Sequence, residues 1–343
     1  MKFVTTALFC ATTVLAANAA EARDIEIQSL YPGSLVLLGE GGVKLAERVT
    51  QLSGGELTLT FRNPGELVPG NEIWDALSSG AIEASWYATG FAEGIVPSAS
   101  LFTSWPFGPD IREYSAWWYQ GGGRELWNEI SEPYNIHSEL CTVLAPEGAG
   151  WFREPIDGPE DLAGLKMRVF GLGASVMQKL GVAAQSLPPA DMVTALNLGT
   201  IDAAELSMPS TDLAFGMYEH AKHYYFPGWH QQNSLIMFMM NKDSWDSLED
   251  SQRTLIRTVC DGLVAETVAQ GEAIQMQALE TLVNEHGVIL HRWSDEMLAV
   301  YRDAWEEVVA EKSAASEEFA RVWAHISDFR EGFAEWKKLG FVD

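Results

Sequence analysis

Arg168 closes the strand-like run Lys166-Met167-Arg168-Val169-Phe170, which feeds Gly171-Leu172-Gly173 at the start of a helix. A guanidinium stays charged at any relevant pH and offers paired, planar donors to a carboxylate. Glycines at a helix start also leave backbone N–H groups free to face an anion. A strand-end arginine serves equally as a plain salt-bridge partner, so the residue alone leaves both readings open. Two acids stand out beside it. Glu205 ends the apolar run from Ile201 and precedes Leu206, Ser207 and Met208, while Glu147 sits in a short turn with Gly148 and Gly150. Two carboxylates with main-chain carbonyls suit a hard cation such as Ca²⁺ or Na⁺. The same pair suits the acid and base of a secreted hydrolase or lyase. His220, His223 and His230 lack a neighbouring acid or cysteine motif, and read as surface or packing residues rather than a zinc site. Gly171-x-Gly173 is a poor dinucleotide loop, because Val176 stands where the third glycine belongs. The chain has no H-E-x-x-H, G-x-S-x-G, Walker loop or paired C-x-x-C. Of the many aromatic residues most must be core, but Trp86, Tyr87, Trp105, Phe107 and Trp151 fall near strand ends, where a cleft wall is built.

The elements that must position these residues alternate. Leu45, Val49 and Leu52 recur at helical spacing before Ser53-Gly54-Gly55, and Leu57 to Phe61 alternates as a strand. A helix over Glu72–Ser79 stops at Gly80, and Ala81–Tyr87 reads as the next strand. The pattern restarts after Cys141, with a helical turn at Asp161–Leu165, the Arg168 strand, helices over Ser175–Leu180 and Ala190–Leu198, and the Glu205 strand. Strands alternating with helices predict an α/β fold with largely parallel sheets, here in two lobes with a ligand cleft between them. Asn233–Met240 is a continuous apolar run, expected as a buried strand that returns the chain to the first lobe. In the tail, Leu298, Tyr301, Trp305, Val308, Ala315, Phe319, Val322, Ile326, Phe329, Phe333 and Trp336 follow steps of three and four, interrupted at Lys312. Such a repeat predicts a long helix with an apolar seam, packed on its own lobes or gripping a second subunit.

Composition bounds the function further. The chain has 343 residues, with 48 acidic against 22 basic side chains and a formal charge of -26. That surface repels nucleic acid and anionic lipid. Lys2, the apolar run Phe3–Leu15 and the small residues Ala16–Ala20 make residues 1–20 a cleaved secretory signal, too short to span a bilayer, which takes about 20 apolar residues. Phe9 before Cys10 argues against a lipid anchor. Cys141 and Cys260 can form one disulfide in an oxidising compartment.

Several runs resemble a known family. They include Gly65-Glu66-Leu67-Val68-Pro69, Pro106-Phe107-Gly108, Gly121-Gly122-Gly123-Arg124-Glu125-Leu126-Trp127 and Gly150-Trp151-Phe152-Arg153. Leu162-Ala163-Gly164-Leu165-Lys166-Met167-Arg168, Asp212-Leu213-Ala214-Phe215-Gly216, Tyr225-Phe226-Pro227-Gly228-Trp229-His230 and Asn284-Glu285-His286-Gly287-Val288 follow in order. The chain resembles the solute receptors of tripartite ATP-independent periplasmic (TRAP) transporters, in the branch that binds 2-oxo acids and lactate. The resemblance implies a two-lobed periplasmic binding protein fold of type II with a long C-terminal helix, no enzyme activity, a periplasmic location, and membrane transporter subunits as partners. It implies lobe I from 24–145 and about 232–265, lobe II from 146–231 and about 266–297, and a helical segment over 298–343 that pairs subunits of a homodimer. It further implies that Arg168 clamps the carboxylate of a small organic acid. In that branch a cation bridges ligand and protein through a Gln, a Glu and the main chain of a Trp; here those positions hold Glu147, Glu205 and Leu206. The second carboxylate favours a divalent ion over Na⁺, or alternatively holds the ammonium of a zwitterion. Leu206 in place of Trp makes room for a ligand longer than pyruvate, with Tyr87 and Trp151 as further walls.

Overall fold

The computed structural model describes residues 22–342, so the signal segment 1–20 lies outside the described residues. The strands, in chain order, are β1 Arg23–Ser29, β2 Leu57–Arg62, β3 Ala84–Tyr87, β4 Ile136–Leu144, β5 Gly150–Phe152, β6 Lys166–Arg168, β7 Ala183–Gln185, β8 Ala203–Ala204, β9 His223–Phe226, β10 Ser234–Asn241 and β11 Ile289–Arg292. They form two sheets, ordered β2-β1-β3-β10-β4 and β11-β9-β5-β8-β6-β7. The first is therefore built from both sides of the second, and the chain passes between them after β4, after β9 and again before β11. The α/β class holds. Each sheet is mixed, because β10 runs antiparallel to both its neighbours and so does β5.

Local chemistry explains most of the boundaries. The first helix, Glu40–Leu52, buries Leu45 and Val49 and leaves Leu52 outward, 66% exposed. The helix Ile73–Ser79 stops at Gly80, whose φ of 77° is open to glycine at little cost. β10 is buried along its whole length, as its unbroken apolar run requires. Arg168 and Ala204 are register partners on parallel strands β6 and β8, so Glu205, one residue on, emerges beside Arg168 at the same sheet end.

Two helical segments differ from expectation. A single helix, Asp250–Asn284, runs through the position near 265 where a change of lobe is expected. It packs against β4 of the first sheet and against the helix Pro209–Phe215 of the second. Its apolar contacts shift from Ile256, Val259 and Leu263 to Ala278 and Leu282 along its length, a pattern that a search for one repeated stripe passes over. The tail is two helices, Asp295–Ala315 and Glu317–Gly340, rather than one. Ser316 is extended (φ -141°, ψ 116°), and its side chain accepts the Phe319 N–H, so it caps the second helix and breaks the first. The seam packs on the same chain as far as Phe329, with Tyr301, Trp305, Val308, Phe319, Val322 and Ile326 buried. Lys312, the interruption in the repeat, is used for an ion pair with Glu93 at 2.5 Å.

A disulfide joins Cys141 in β4 to Cys260 in the Asp250–Asn284 helix, across 119 residues of sequence. Closing so long a loop restricts the unfolded chain more than the folded one. Reduction is expected to lower unfolding stability by about 2–4 kcal/mol, read from urea melts with and without dithiothreitol, and Cys260→Ala should reproduce the loss.

Candidate functional site

The joint between the sheets holds a partly enclosed cavity of about 30 Å³, walled on one side by Arg168, Phe170, Glu205 and Leu206, and on the other by Tyr31, Phe91 and Ser234. Glu147, on the crossover from β4 to β5, closes the floor. The cavity thus lies at the carboxyl ends of β6 and β8, where an open α/β sheet presents main-chain and loop groups to a ligand.

Arg168 and Glu205 are 2% and 1% exposed, which is affordable only for paired charges. Arg168 Nη1 donates to Glu205 Oε2 at 2.9 Å and also to the Glu205 carbonyl, while Nε donates to the Leu187 carbonyl at 3.1 Å. Among the described residues these are the Arg168 side-chain hydrogen bonds, none of them from Nη2, and the residue lines the cavity. Glu205 Oε2 accepts a second bond from the Phe170 N–H at 3.0 Å. Burial pushes the Glu205 carboxyl up, but the Arg168 charge, with His230 and the Phe170 N–H, outweighs it and holds the group at about 2. Glu205 is therefore an anion.

Glu147 is held from the other side. Its Oε1 accepts from Ser234 Oγ at 3.1 Å and Gln231 Nε2 at 3.4 Å. Its main chain is fixed too, since Gly228 N donates to the Glu147 carbonyl at 3.0 Å. A side chain at 228 would place its Cβ 2.2 Å from that carbonyl, so this approach needs glycine. Burial and the neighbouring Glu205 and Asp212 charges push the Glu147 carboxyl well above its ordinary range.

Glu147 Oε2, Glu205 Oε1 and His230 Nε2 are all buried and without hydrogen-bond partners. One donor atom from each of the three residues lies within 4.8 Å of the others. An unpaired buried polar atom is costly, and three converging on one point mark a place for a cation or donor. The residues present fit a bound metal ion.

Tyr87 and Trp151 are not among the cavity walls. Tyr87 is buried behind Phe91, with 6.2 Å between ring centroids, and Phe91 is the ring that faces the cavity. Trp151 stacks on Tyr224 at 4.0 Å inside the second sheet's core, because β5 is flanked by β8 and β9. Its Nε1 donates to Asp212 at 2.7 Å, and Tyr224 donates to the same oxygen at 2.8 Å. Trp86, Trp105 and Phe107 are likewise packed elsewhere. Leu206 lines the cavity together with Phe91 and Phe170, whose ring centroids are 4.4 Å apart across the joint. His220 and His223 stay outside, the latter paired with His291 at 2.9 Å. His230, by contrast, reaches the site. Only its place directly after Gly228 and Trp229 hinted at this, and Tyr31, Phe91, Gln231 and Ser234 carried no local signal.

A cavity between two sheets with a buried guanidinium and two buried carboxylates suits a receptor for a small anion. The chain belongs to the bacterial extracellular solute-binding protein family 7, whose pattern matches residues 32–316, and is a TRAP-type solute receptor. It is 30% identical over 299 residues to a monocarboxylate 2-oxoacid-binding periplasmic protein of Nostoc, covering 87% of this chain and 82% of that one. A Bordetella bronchiseptica TRAP solute-binding protein superposes with a TM-score of 0.90 at 29% identity, covering 93% of this chain and 95% of that one. That protein is a mixed-occupancy dimer with calcium and picolinate in one site. A Pseudoalteromonas atlantica counterpart with bound sodium and pyruvate gives 0.89 at 29% identity, covering 93% and 97%. The family is one of receptors rather than enzymes. No helix among the described residues is long and apolar enough to cross a membrane.

Asp212 supplies a pH test. Burial, opposed by the Trp151 and Tyr224 bonds and aided by the Glu205 charge, raises its carboxyl from 3.8 to about 7. The folded state then binds a proton that the unfolded state has released, so stability falls as pH rises from about 4 to about 7. Asp212→Asn keeps an acceptor for both donors and removes that charge. In metal-free protein, urea melts should show it more stable than the parent at pH 8 by on the order of 2 kcal/mol, with little difference at pH 4.

Proposed function

We propose that this receptor captures a small 2-oxo or 2-hydroxy monocarboxylate, with Arg168 as its anchor and a cation bridging it to Glu147 and Glu205. The observation that carries this is the free Nη2 edge of a buried arginine in the same cavity as two unpartnered carboxylate oxygens. A paired guanidinium cannot be lost to solvent, and its remaining donors match a carboxylate. A bound ion, held by Glu147, Glu205 and the Leu206 main chain, would neutralise the two acids and polarise the ligand's second oxygen. The small cavity favours a short guest over a long one. The calcium, sodium, pyruvate and picolinate in the two structural neighbours support the same reading. The additional carboxylate at Glu147 also supports a second one, in which an amino acid's ammonium replaces the ion.

The closed state follows from hinge motion between the sheets, and delivery goes to membrane subunits of the transporter. Residues 1–20 act as the export signal, and the mature chain works in the periplasm. Trp336 and Leu339, 58% and 84% exposed at the end of the last helix, are proposed to meet a second copy. Analytical ultracentrifugation should show a dimer that the double change Trp336→Glu and Leu339→Glu converts to monomer.

Arg168→Lys is the cleanest test of the anchor, because it keeps a charge beside Glu205 while removing the planar fork. Calorimetry with pyruvate and Ca²⁺ should show affinity reduced by about ten-fold or more, with an unchanged circular dichroism spectrum. Wild-type affinity in this variant would remove Arg168 from the role. Arg168→Ala is a harsher change, since it strands the Glu205 carboxylate and should cost about 3–5 kcal/mol of stability.

A further inference from the structure

We propose that His230 is a protein ligand of the same cation, and that its imidazole makes the site selective for a divalent first-row transition ion over Ca²⁺ or Na⁺. The inference rests on the receptor reading above and adds a residue and a metal class to it.

The three residues share one design. Glu147 has Oε1 tied to Ser234 and Oε2 free, and Glu205 has Oε2 tied to Arg168 and Phe170 and Oε1 free. His230 has Nε2 free. His230 is 2% exposed, so its nitrogen has no access to bulk water. Nor is it a hydrogen-bond partner of Glu205, because the 3.8 Å between Nε2 and Oε1 is too long. A single ion among these atoms would satisfy all three.

The backbone holds the ring in place for this. Trp229 stacks on Tyr301 at 4.3 Å, and Gly228 is locked to Glu147 by the contact that excludes any side chain. Gly173, in the first turn of the helix after β6, leaves space that a Cβ would bring to 3.1 Å from His230 Cβ. The imidazole is thus wedged between that helix and the loop that carries Glu147's partners.

Donor type and charge agree on the ion. Hard cations take oxygen ligands, whereas imidazole suits zinc and its first-row neighbours. Glu147, Glu205 and a bound carboxylate together bring three negative charges, of which Arg168 cancels one. A divalent ion balances the remainder, and Na⁺ does not.

Chelator-stripped protein is titrated by calorimetry with Zn²⁺, Mn²⁺ or Ca²⁺, with pyruvate present as the guest. Zn²⁺ should bind at least about ten-fold more tightly than Ca²⁺. His230→Gln and His230→Ala should each remove most of that preference. Pulsed electron paramagnetic resonance of the Mn²⁺-loaded parent should show nitrogen coupling from one imidazole, a readout independent of whether the variants fold. Equal or tighter Ca²⁺ binding by the parent, a zinc preference that survives both substitutions, or absence of the nitrogen coupling would each overturn the assignment. Pyruvate binding with Ca²⁺ alone tells the two proposals apart: if it persists without a zinc preference, His230 falls and the receptor reading stands. If no small carboxylate binds with any ion, both fall.

Discussion

The Arg168–Glu205 pair is the constraint around which the site is arranged. Two charges that are almost wholly buried survive only if each is bonded on nearly every face. The register of β6 and β8 delivers the pair to one sheet end, and the first turn of the next helix adds the Phe170 N–H. The pairing is incomplete in two places, the Nη2 edge of Arg168 and Oε1 of Glu205. Both openings fall at one cavity. The site is what remains after the protein has satisfied as much of a buried ion pair as its own backbone can reach.

That arrangement depends on elements from two sheets meeting at fixed distances. Glu147 comes from the crossover after β4, and Gln231 and Ser234 from the return into β10, so the far wall is built where the chain changes sheet. The contact between Gly228 and the Glu147 carbonyl ties these crossings together. The Asp250–Asn284 helix leans on both sheets, and the tail helices add a third support through Lys179 with Glu307 and Lys312 with Glu93.

Much of this is legible in the sequence wherever the signal is local. β10 declares itself by an unbroken apolar run, the Ile73–Ser79 helix by the glycine that ends it, and Arg168 by being a charge inside an apolar strand. Glu147 and Glu205 are readable as acids in unusual company, although their convergence is a matter of topology. The errors have a common cause. Aromatic residues near strand ends are as useful to the core as to a cleft, and Trp151 and Tyr87 went to the core. His230 is one imidazole far from its partners in sequence, and only folding brings it to them. Ser316 looks like any polar residue in a helix until its side chain is seen capping the next one.

The strongly acidic composition then has a consistent place in the proposed mechanism. Exposed charges are screened over about 8–10 Å in physiological salt, so they set the approach of ions more than the field inside a buried site. A surface of this sign concentrates divalent cations and repels a free organic anion. A receptor that depended on Arg168 alone would be working against its own surface. One that first gathers a cation at Glu147 and Glu205, and then presents that ion together with the guanidinium edge, uses the surface charge to load the cation and the enclosed positive groups to hold the acid. The proposed mechanism therefore places the cation before the carboxylate, because the carboxylate meets a net positive site only after the two acids have been neutralised.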